Sequence, residues 1–126
     1  MRQPDIEVYL KTTNLDAILN WLEKRFDNLT ATNSHGRSHH YFGMIGPHAV
    51  PILIVEKAAG RFFSSIWFNS SDSPWKTDID CARDAYQTLN VEVRCNGNFW
   101  EEGKNNEDEW WQISEFGEGP VTWQDV

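Results

Sequence analysis

Two helical patterns, one on each side of a long strand-like stretch, most constrain how this chain can fold. In the first, TTNLDAILNWLEKRF, apolar side chains recur at helical spacing and form one stripe: Leu15, Ile18, Leu19, Leu22 and Phe26. Asn14 is placed to cap the helix N-terminus, and Asp16 lies near the positive end of the helix dipole. We therefore predict an amphipathic helix that buries this stripe, with Trp21 at its edge covering the rim of the core.

The second pattern, DSPWKTDIDCARDAYQTLN, predicts another amphipathic helix. Ser73 is the predicted N-cap, and Pro74 the first helical residue. The apolar stripe of this helix consists of Trp75, Ile79, Ala82, Tyr86 and Leu89. Two helices that are each apolar on one side need an apolar surface to pack against, and a sheet between them in sequence supplies it.

The remaining sequence is typical of strands joined by short turns. In IEVYLK, the apolar Ile6, Val8 and Leu10 alternate with residues that point the other way, which indicates a strand with one buried face. Short links between the later strand patterns indicate antiparallel pairing. The predicted fold is α+β: a mainly antiparallel sheet with two amphipathic helices packed on one face, ferredoxin-like in spirit, in a single domain over residues 1–126.

Composition favours a folded protein located in the cytoplasm. Of the 126 residues, 40% are apolar and 13% aromatic, which is far from the composition of a disordered chain. The first residues, MRQPDIEVYLKTTN, contain no apolar run of signal-peptide length, and no stretch approaches the ~18 apolar residues of a membrane-spanning helix. We predict no membrane association, and two buried thiols at Cys81 and Cys95 rather than a disulfide.

The negative charge is concentrated towards the C-terminus. The net charge is −8, of which residues 1–100 contribute −1 and residues 101–126 contribute −7. An acidic end on a nearly neutral body indicates either a solvated tail or a docking surface for a basic partner. It argues against nucleic acid as a direct ligand, because phosphate binding requires a cationic surface.

The four histidines lack the spacing of metal ligands. His35 and His39 flank a predicted turn at Gly36, and the consecutive His39 and His40 point to opposite faces of a strand. They cannot all converge on one ion, and no cysteine lies near them in sequence. We predict no metal site and no cofactor.

No pattern predicts a catalytic nucleophile or a phosphate-binding loop. No serine lies in a G-x-S-x-G turn. Asp80 and Asp84 share a helix face, but acids early in a helix are also favoured by the helix dipole. Gly43 and Gly46 lack the spacing and the lysine of a phosphate loop and are predicted to be turn glycines. We therefore predict no catalytic residues and a chain more typical of a binding protein than of an enzyme.

The stretch FWEEGKNNEDEWWQISEFGEG combines three tryptophans with seven acids. If EWWQISEF is a strand, pleating sends Trp110 and Trp111 to opposite faces of the sheet. One then joins the core and the other lies on the far face, where Tyr9 and Trp67 can join it, unless a loop covers both rings. The predicted partner-binding residues are Trp100, Glu101, Glu102, Glu107, Asp108, Glu109, Trp110 and Glu115.

Two functions of different classes are consistent with this sequence. The first is a small non-catalytic binding protein whose acidic, aromatic C-terminal region holds a basic protein, by analogy with immunity proteins and other inhibitors. The alternative is a small-molecule-binding protein or enzyme with an aromatic pocket between helices and sheet. The residues that line the pocket in this alternative are Trp67, Trp75, Tyr86 and Trp111.

Overall fold

The computed structural model of the protein describes residues 2–96 and 109–123, and contains two helices and eight strands in these ranges. The helices are α1 (Leu15–Arg25) and α2 (Asp78–Leu89). The strands are β1 (Ile6–Leu10), β2 (Asn28–His35), β3 (Ser38–Ile45), β4 (His48–Ala59), β5 (Phe63–Phe68), β6 (Val93–Asn96), β7 (Glu109–Ser114) and β8 (Gly117–Thr122).

The strands form one sheet in the order β2-β3-β4-β5-β1-β6-β7-β8, and each described pairing is antiparallel. The first strand therefore lies inside the sheet, between β5 and β6, while β2 and β8 form its edges. The predicted α+β class with a mainly antiparallel sheet is confirmed. The ferredoxin-like arrangement is not confirmed and stays a prediction. This chain has four strands between its helices, whereas the ferredoxin-like motif has two.

Helix α1 forms where its cap and stripe predicted it. The Asn14 side chain accepts a hydrogen bond from the Ala17 N–H at 3.1 Å, and basic residues occupy the last turn, near the negative end of the dipole. The prediction that Trp21 covers the rim of the core is wrong, because its side chain is 1% exposed. The ring packs against Trp75, with centroids 5.4 Å apart, so the segment leading into α2 covers it.

The predicted start of α2 at Ser73 and Pro74 is wrong. The N-cap is Thr77, whose side-chain oxygen accepts a hydrogen bond from the Asp80 N–H at 3.1 Å. Ser73 is buried in the preceding bend, where its hydroxyl donates to the Trp75 carbonyl at 3.1 Å. A capping side chain four residues further on therefore fixes the first turn, and Trp75 enters the core from the segment before the helix.

The core is one apolar cluster that both helices share with alternate residues of the strands. Its largest fully buried side chains are Trp21, Phe68, Ile6, Leu10, Ile18, Leu22, Ile52, Ile54, Ile66, Val8, Val50 and Val93. The alternation predicted for β1 is confirmed, because Ile6, Val8 and Leu10 are all fully buried. Each intervening residue of β1 therefore points to the other face of the sheet.

One of the two predicted turn glycines, Gly43, does not lie in a turn. Gly46 does, with a φ of 56°, but Gly43 is buried within β3. A Cβ atom at Gly43 would lie 2.5 Å from Cδ1 of Phe26. The absence of a side chain at this position is what lets the Phe26 ring pack against the strand.

The two cysteines are both free and buried, as predicted. Burial raises the pKa of the Cys81 thiol and of the Cys95 thiol well above the usual range. In the part of the chain that the structure describes, neither helix is long and apolar enough to cross a membrane.

Candidate functional site

The pleat of β1 divides the sheet into two faces. We call the side of Ile6, Val8 and Leu10 the core face and the side of Glu7 and Tyr9 the outer face. The pairing registers extend this division across the sheet, because directly paired residues lie on the same face. The outer-face residues that matter below are Phe42, Pro51, Leu53, Phe63, Trp67, Arg94 and Trp110.

Four aromatic rings gather on the outer face, three from β1, β5 and β7 and one just after β8, and we call them the outer aromatic cluster: Tyr9, Phe63, Trp110 and Trp123. The Tyr9 ring contacts Trp110 and Trp123 edge-on, with centroids 5.4 Å away in both pairs. Trp110 and Trp123 are 5.2 Å apart, and Phe63 and Trp123 are 4.8 Å apart. The predicted separation of Trp110 from Trp111, and the meeting of Trp110 with Tyr9, are thus confirmed.

Arg94 lies over the outer aromatic cluster. Its guanidinium carbon is 4.6 Å from the Trp123 centroid and 5.1 Å from the Phe63 centroid, within the range of a cation–π contact. The same guanidinium pairs with the Glu92 carboxylate at 3.0 Å. The positive charge of Arg94 is therefore already neutralised by Glu92, while its guanidinium lies over the rings of Phe63 and Trp123.

Two carboxylates lie near this cluster, Glu7 in β1 and Asp5 just before that strand. The Trp67 indole N–H donates to Asp5 at 2.7 Å, and Trp67 is paired directly with Glu7 across β1 and β5. Among the described residues, no cation forms an ion pair with Glu7. Burial, then the nearby Asp78 and Asp5 carboxylates, raise the pKa of Glu7, although its side chain still reaches solvent.

A mainly apolar groove of about 200 Å³ lies on the outer face, and one of its lining residues, Trp67, also contacts Asp5 and pairs with Glu7. Its walls include Phe42, Pro51, Leu53 and Trp67, which belong to β3, β4 and β5. Phe42 is 41% exposed, one of three large apolar side chains so exposed among the described residues. The Trp67 ring thus lies between the groove and the two carboxylates.

The predicted partner-binding residues are only partly within the described ranges. Trp100, Glu101, Glu102, Glu107 and Asp108 lie outside them. Glu109 begins β7 and Trp110 follows it onto the outer face. Glu115 lies in the turn after β7, at the opposite end of that strand, roughly 20 Å from Glu109 at the usual rise per residue. The structure thus brings Trp110 to the outer aromatic cluster but does not bring Glu115 there.

The four residues of the alternative pocket are not brought together. Trp67 lies on the outer face, whereas Trp75 is 6% exposed inside the core cluster. Trp111 packs against the core cluster on the core face, and its indole N–H donates to Glu118 at 3.2 Å. Tyr86 lines a separate polar groove with Phe116 and Lys11.

Asp84 links the two helices through a polar cluster that sequence reasoning missed. One of its oxygens accepts from the Trp21 indole at 3.2 Å and from the Trp75 indole at 3.0 Å, and Arg25 donates to both oxygens at 2.6 and 2.7 Å. Burial alone raises the pKa of Asp84, but these hydrogen bonds outweigh it and hold the pKa below its usual value. Asp84 is therefore a structural anion that binds Arg25 and the two indoles.

Three polar residues on the β2–β4 strands form a chain of hydrogen bonds. The Ser34 hydroxyl and the His39 Nδ1 atom are 2.5 Å apart, and the His39 Nε2 atom is 2.7 Å from Glu56. The residue types match a nucleophile–base–acid series, but the serine is exposed on an edge strand and lines none of the grooves described above. Within the described ranges no group of histidine, cysteine or acidic residues is placed to hold a metal ion.

Comparison with protein-family models, with curated proteins and with solved structures gives no match for this chain.

Proposed function

We propose that this chain is a non-catalytic binding protein of the cytoplasm that holds a basic protein partner, much as immunity-type inhibitors hold their targets. The outer face is the docking surface, and the acidic C-terminal region supplies the attraction. The observation that carries this proposal is the outer aromatic cluster, which includes Trp110 and so lies beside Asn96 and Glu109, the described residues that flank positions 97–108.

The outer aromatic cluster has the composition of an interface hot spot. Aromatic residues and arginine dominate the buried centres of protein interfaces, and here Arg94 covers rings that are themselves in edge contact. Tyr9, Trp110 and Trp123 remain partly exposed. Because these rings already hold one another in place, a partner loses little entropy in ordering them.

The negative charge of the sequence that follows the sheet strand β6 favours a basic partner. Residues 101–126 carry a net charge of −7, and Asn96, the last residue before the segment 97–108, is paired with Trp110. The residues that flank positions 97–108, a stretch with a net charge of −3, thus lie beside the cluster. Charge of one sign next to aromatic anchors accelerates association with the opposite charge and disfavours nucleic acid.

The proposal also requires that both helices lie on the core face. The residues that α1 and α2 bury belong to the same cluster as Ile6, Val8 and Leu10, which supports a two-layer arrangement of the ferredoxin-like kind. In that arrangement neither helix covers the outer face, so a partner has access to the exposed parts of it.

Affinity capture with the full chain at two salt concentrations tests the proposal. We expect a basic protein to be retained at ~0.05 M salt and released at ~1 M salt, where the Debye length is about 3 Å. Trp110→Ala should weaken retention about 30-fold, the effect of a hot-spot loss near 2 kcal/mol. Phe116→Ala is the matched control, because Phe116 is 92% exposed at the other end of β7.

A second variant tests the charge separately from the rings. Replacement of Glu101, Glu102, Glu107, Asp108 and Glu109 by Gln or Asn should leave stability within about 0.5 kcal/mol, as is usual for changes in polar surface, and abolish salt-sensitive retention. Capture of no basic protein, or equal retention by wild type and Trp110→Ala, contradicts the proposal. A large stability loss in the charge variant removes the support that charge gives it.

A further inference from the structure

The outer face contains a carboxylate, Glu7, that forms no ion pair with a base in residues 2–96 and 109–123. Glu7 is the second residue of β1, and the charged groups around it are Asp5, just before that strand, and Asp78 at the start of α2. Asp78 accepts a hydrogen bond from the Glu7 backbone N–H at 3.0 Å, so its carboxylate is held close. The nearest base by register, Arg94 opposite Tyr9, is already paired with Glu92.

Aromatic surface borders this carboxylate on two sides. Trp67 is the direct cross-strand neighbour of Glu7, and Tyr9, two residues along β1, is part of the outer aromatic cluster. Beyond Trp67 lies the groove of about 200 Å³ with Phe42, Pro51 and Leu53 in its walls. A ligand on this part of the face thus meets an apolar groove, an indole ring and then an unneutralised carboxylate.

We infer that this part of the outer face receives a segment of the basic partner in which an apolar side chain fills the groove and an adjacent arginine binds Glu7. The inference deepens the proposed function and rests on it for the source of the segment. Arginine fits better than lysine because its planar guanidinium binds carboxylates in two-point fashion and also stacks on an aromatic ring. Asp5, oriented by the Trp67 indole, is the second acceptor within the subsite.

The same groups predict opposite effects of Glu7 on binding and on stability. Burial and the Asp78 and Asp5 carboxylates raise the pKa of Glu7, so the ionised form is disfavoured in the folded protein. The contribution of Glu7 to the free energy of unfolding is therefore fully present below its unfolded pKa and is lost as the pH rises through its folded pKa. Glu7→Gln should raise the thermal midpoint at neutral pH, whereas a residue with a purely structural role would lower it.

The test uses a blocked dipeptide, N-acetyl-leucyl-arginine methylamide, and the matched citrulline peptide, which keeps the shape but lacks the charge. Nuclear magnetic resonance follows the Trp67 indole N–H and the Glu7 carboxyl carbon during each titration. We expect the arginine peptide to move both signals and the citrulline peptide to bind at least about tenfold more weakly, as for loss of a charge-assisted hydrogen bond. Glu7→Gln should weaken arginine binding by a similar factor, while Glu23→Gln, an exposed acid on α1, should not.

Wild type alone supplies a further readout that needs no variant. Affinity for the arginine peptide should fall as the pH is lowered through the raised pKa of Glu7. Equal binding of the arginine and citrulline peptides, or unchanged binding by Glu7→Gln, overturns the inference. Arginine binding at Glu7 without any captured partner contradicts only the proposed function, and a partner whose retention depends on Trp110 but not on Glu7 contradicts only this inference.

Discussion

Replacement of Asp84 by Ala should destabilise the protein by about 4 kcal/mol. The change leaves the indole N–H groups of Trp21 and Trp75, which are 1% and 6% exposed, without their acceptor, at about 1–3 kcal/mol each. The Arg25–Asp84 ion pair adds no more than about 1 kcal/mol, because the Arg25 side chain is 33% exposed and screened by solvent. Urea denaturation followed by far-UV circular dichroism measures the difference.

The matched control for this prediction is Asp80→Ala, one helical turn earlier on α2. Asp80 is exposed, so its removal should cost only about 0.5 kcal/mol through the helix dipole. Asp84→Asn retains an oxygen for the indoles and should cost about 2 kcal/mol, mainly from the hydrogen bonds to the charged group. A loss below about 1 kcal/mol for Asp84→Ala would refute the reasoning that two buried indoles depend on this one carboxylate.

The pH dependence gives the sign of the Asp84 effect independently. Because its folded pKa is below its usual value, the stability that the anion provides is present above the unfolded pKa of about 3.9 and is lost as the pH falls through the folded pKa. The advantage of wild type over Asp84→Asn should therefore shrink in strong acid, and an unchanged difference would contradict the assignment.

Three further predictions concern the fold. Gly43→Ala places a Cβ 2.5 Å from the Phe26 ring and should cost about 1–3 kcal/mol by overpacking, measured by urea denaturation; wild-type stability would show that Phe26 moves aside freely. Asn14→Ala removes the cap of α1 and should lower stability by about 1 kcal/mol; no change would exclude the cap. Cys81 and Cys95 should resist a thiol reagent in the native protein and react in urea, because both are buried; fast native labelling would contradict their burial.

The parts of the fold that sequence predicted correctly are those governed by local periodicity. Alternation at Ile6, Val8 and Leu10 and the stripe of α1 each need only neighbouring residues to be recognised, and both are confirmed. The pleat likewise separated Trp110 from Trp111 without knowledge of the partner strands. Local chemistry misplaced the start of α2, because Ser73 and Thr77 both have capping side chains and the contacts of Trp75 with the core decide between them.

The features of the site that sequence reasoning missed depend on residues distant in the chain. Asp84 accepts from Trp21 and Arg25, about sixty positions away, and from Trp75, nine positions before it; no local pattern indicates that these donors meet at one carboxylate. From the sequence, Glu7 could be recognised only as an outward-facing residue of β1, because the Asp78 carboxylate near it belongs to α2. Tertiary packing determines which charged groups surround Asp84 and Glu7, so a single sequence does not reveal the environment of either residue.

The measurement that tests the docking surface most directly is an indole N–H spectrum recorded during titration with a short arginine-rich peptide at low salt. Tryptophans occupy both faces, so the spectrum contains its own controls. The signals of Trp67, Trp110 and Trp123 on the outer face should shift and should return at ~1 M salt, while those of Trp21 and Trp75, bonded to Asp84 in the core, should stay in place. Shifts confined to Trp111, or none at the three outer tryptophans, would contradict a docking surface on the outer face.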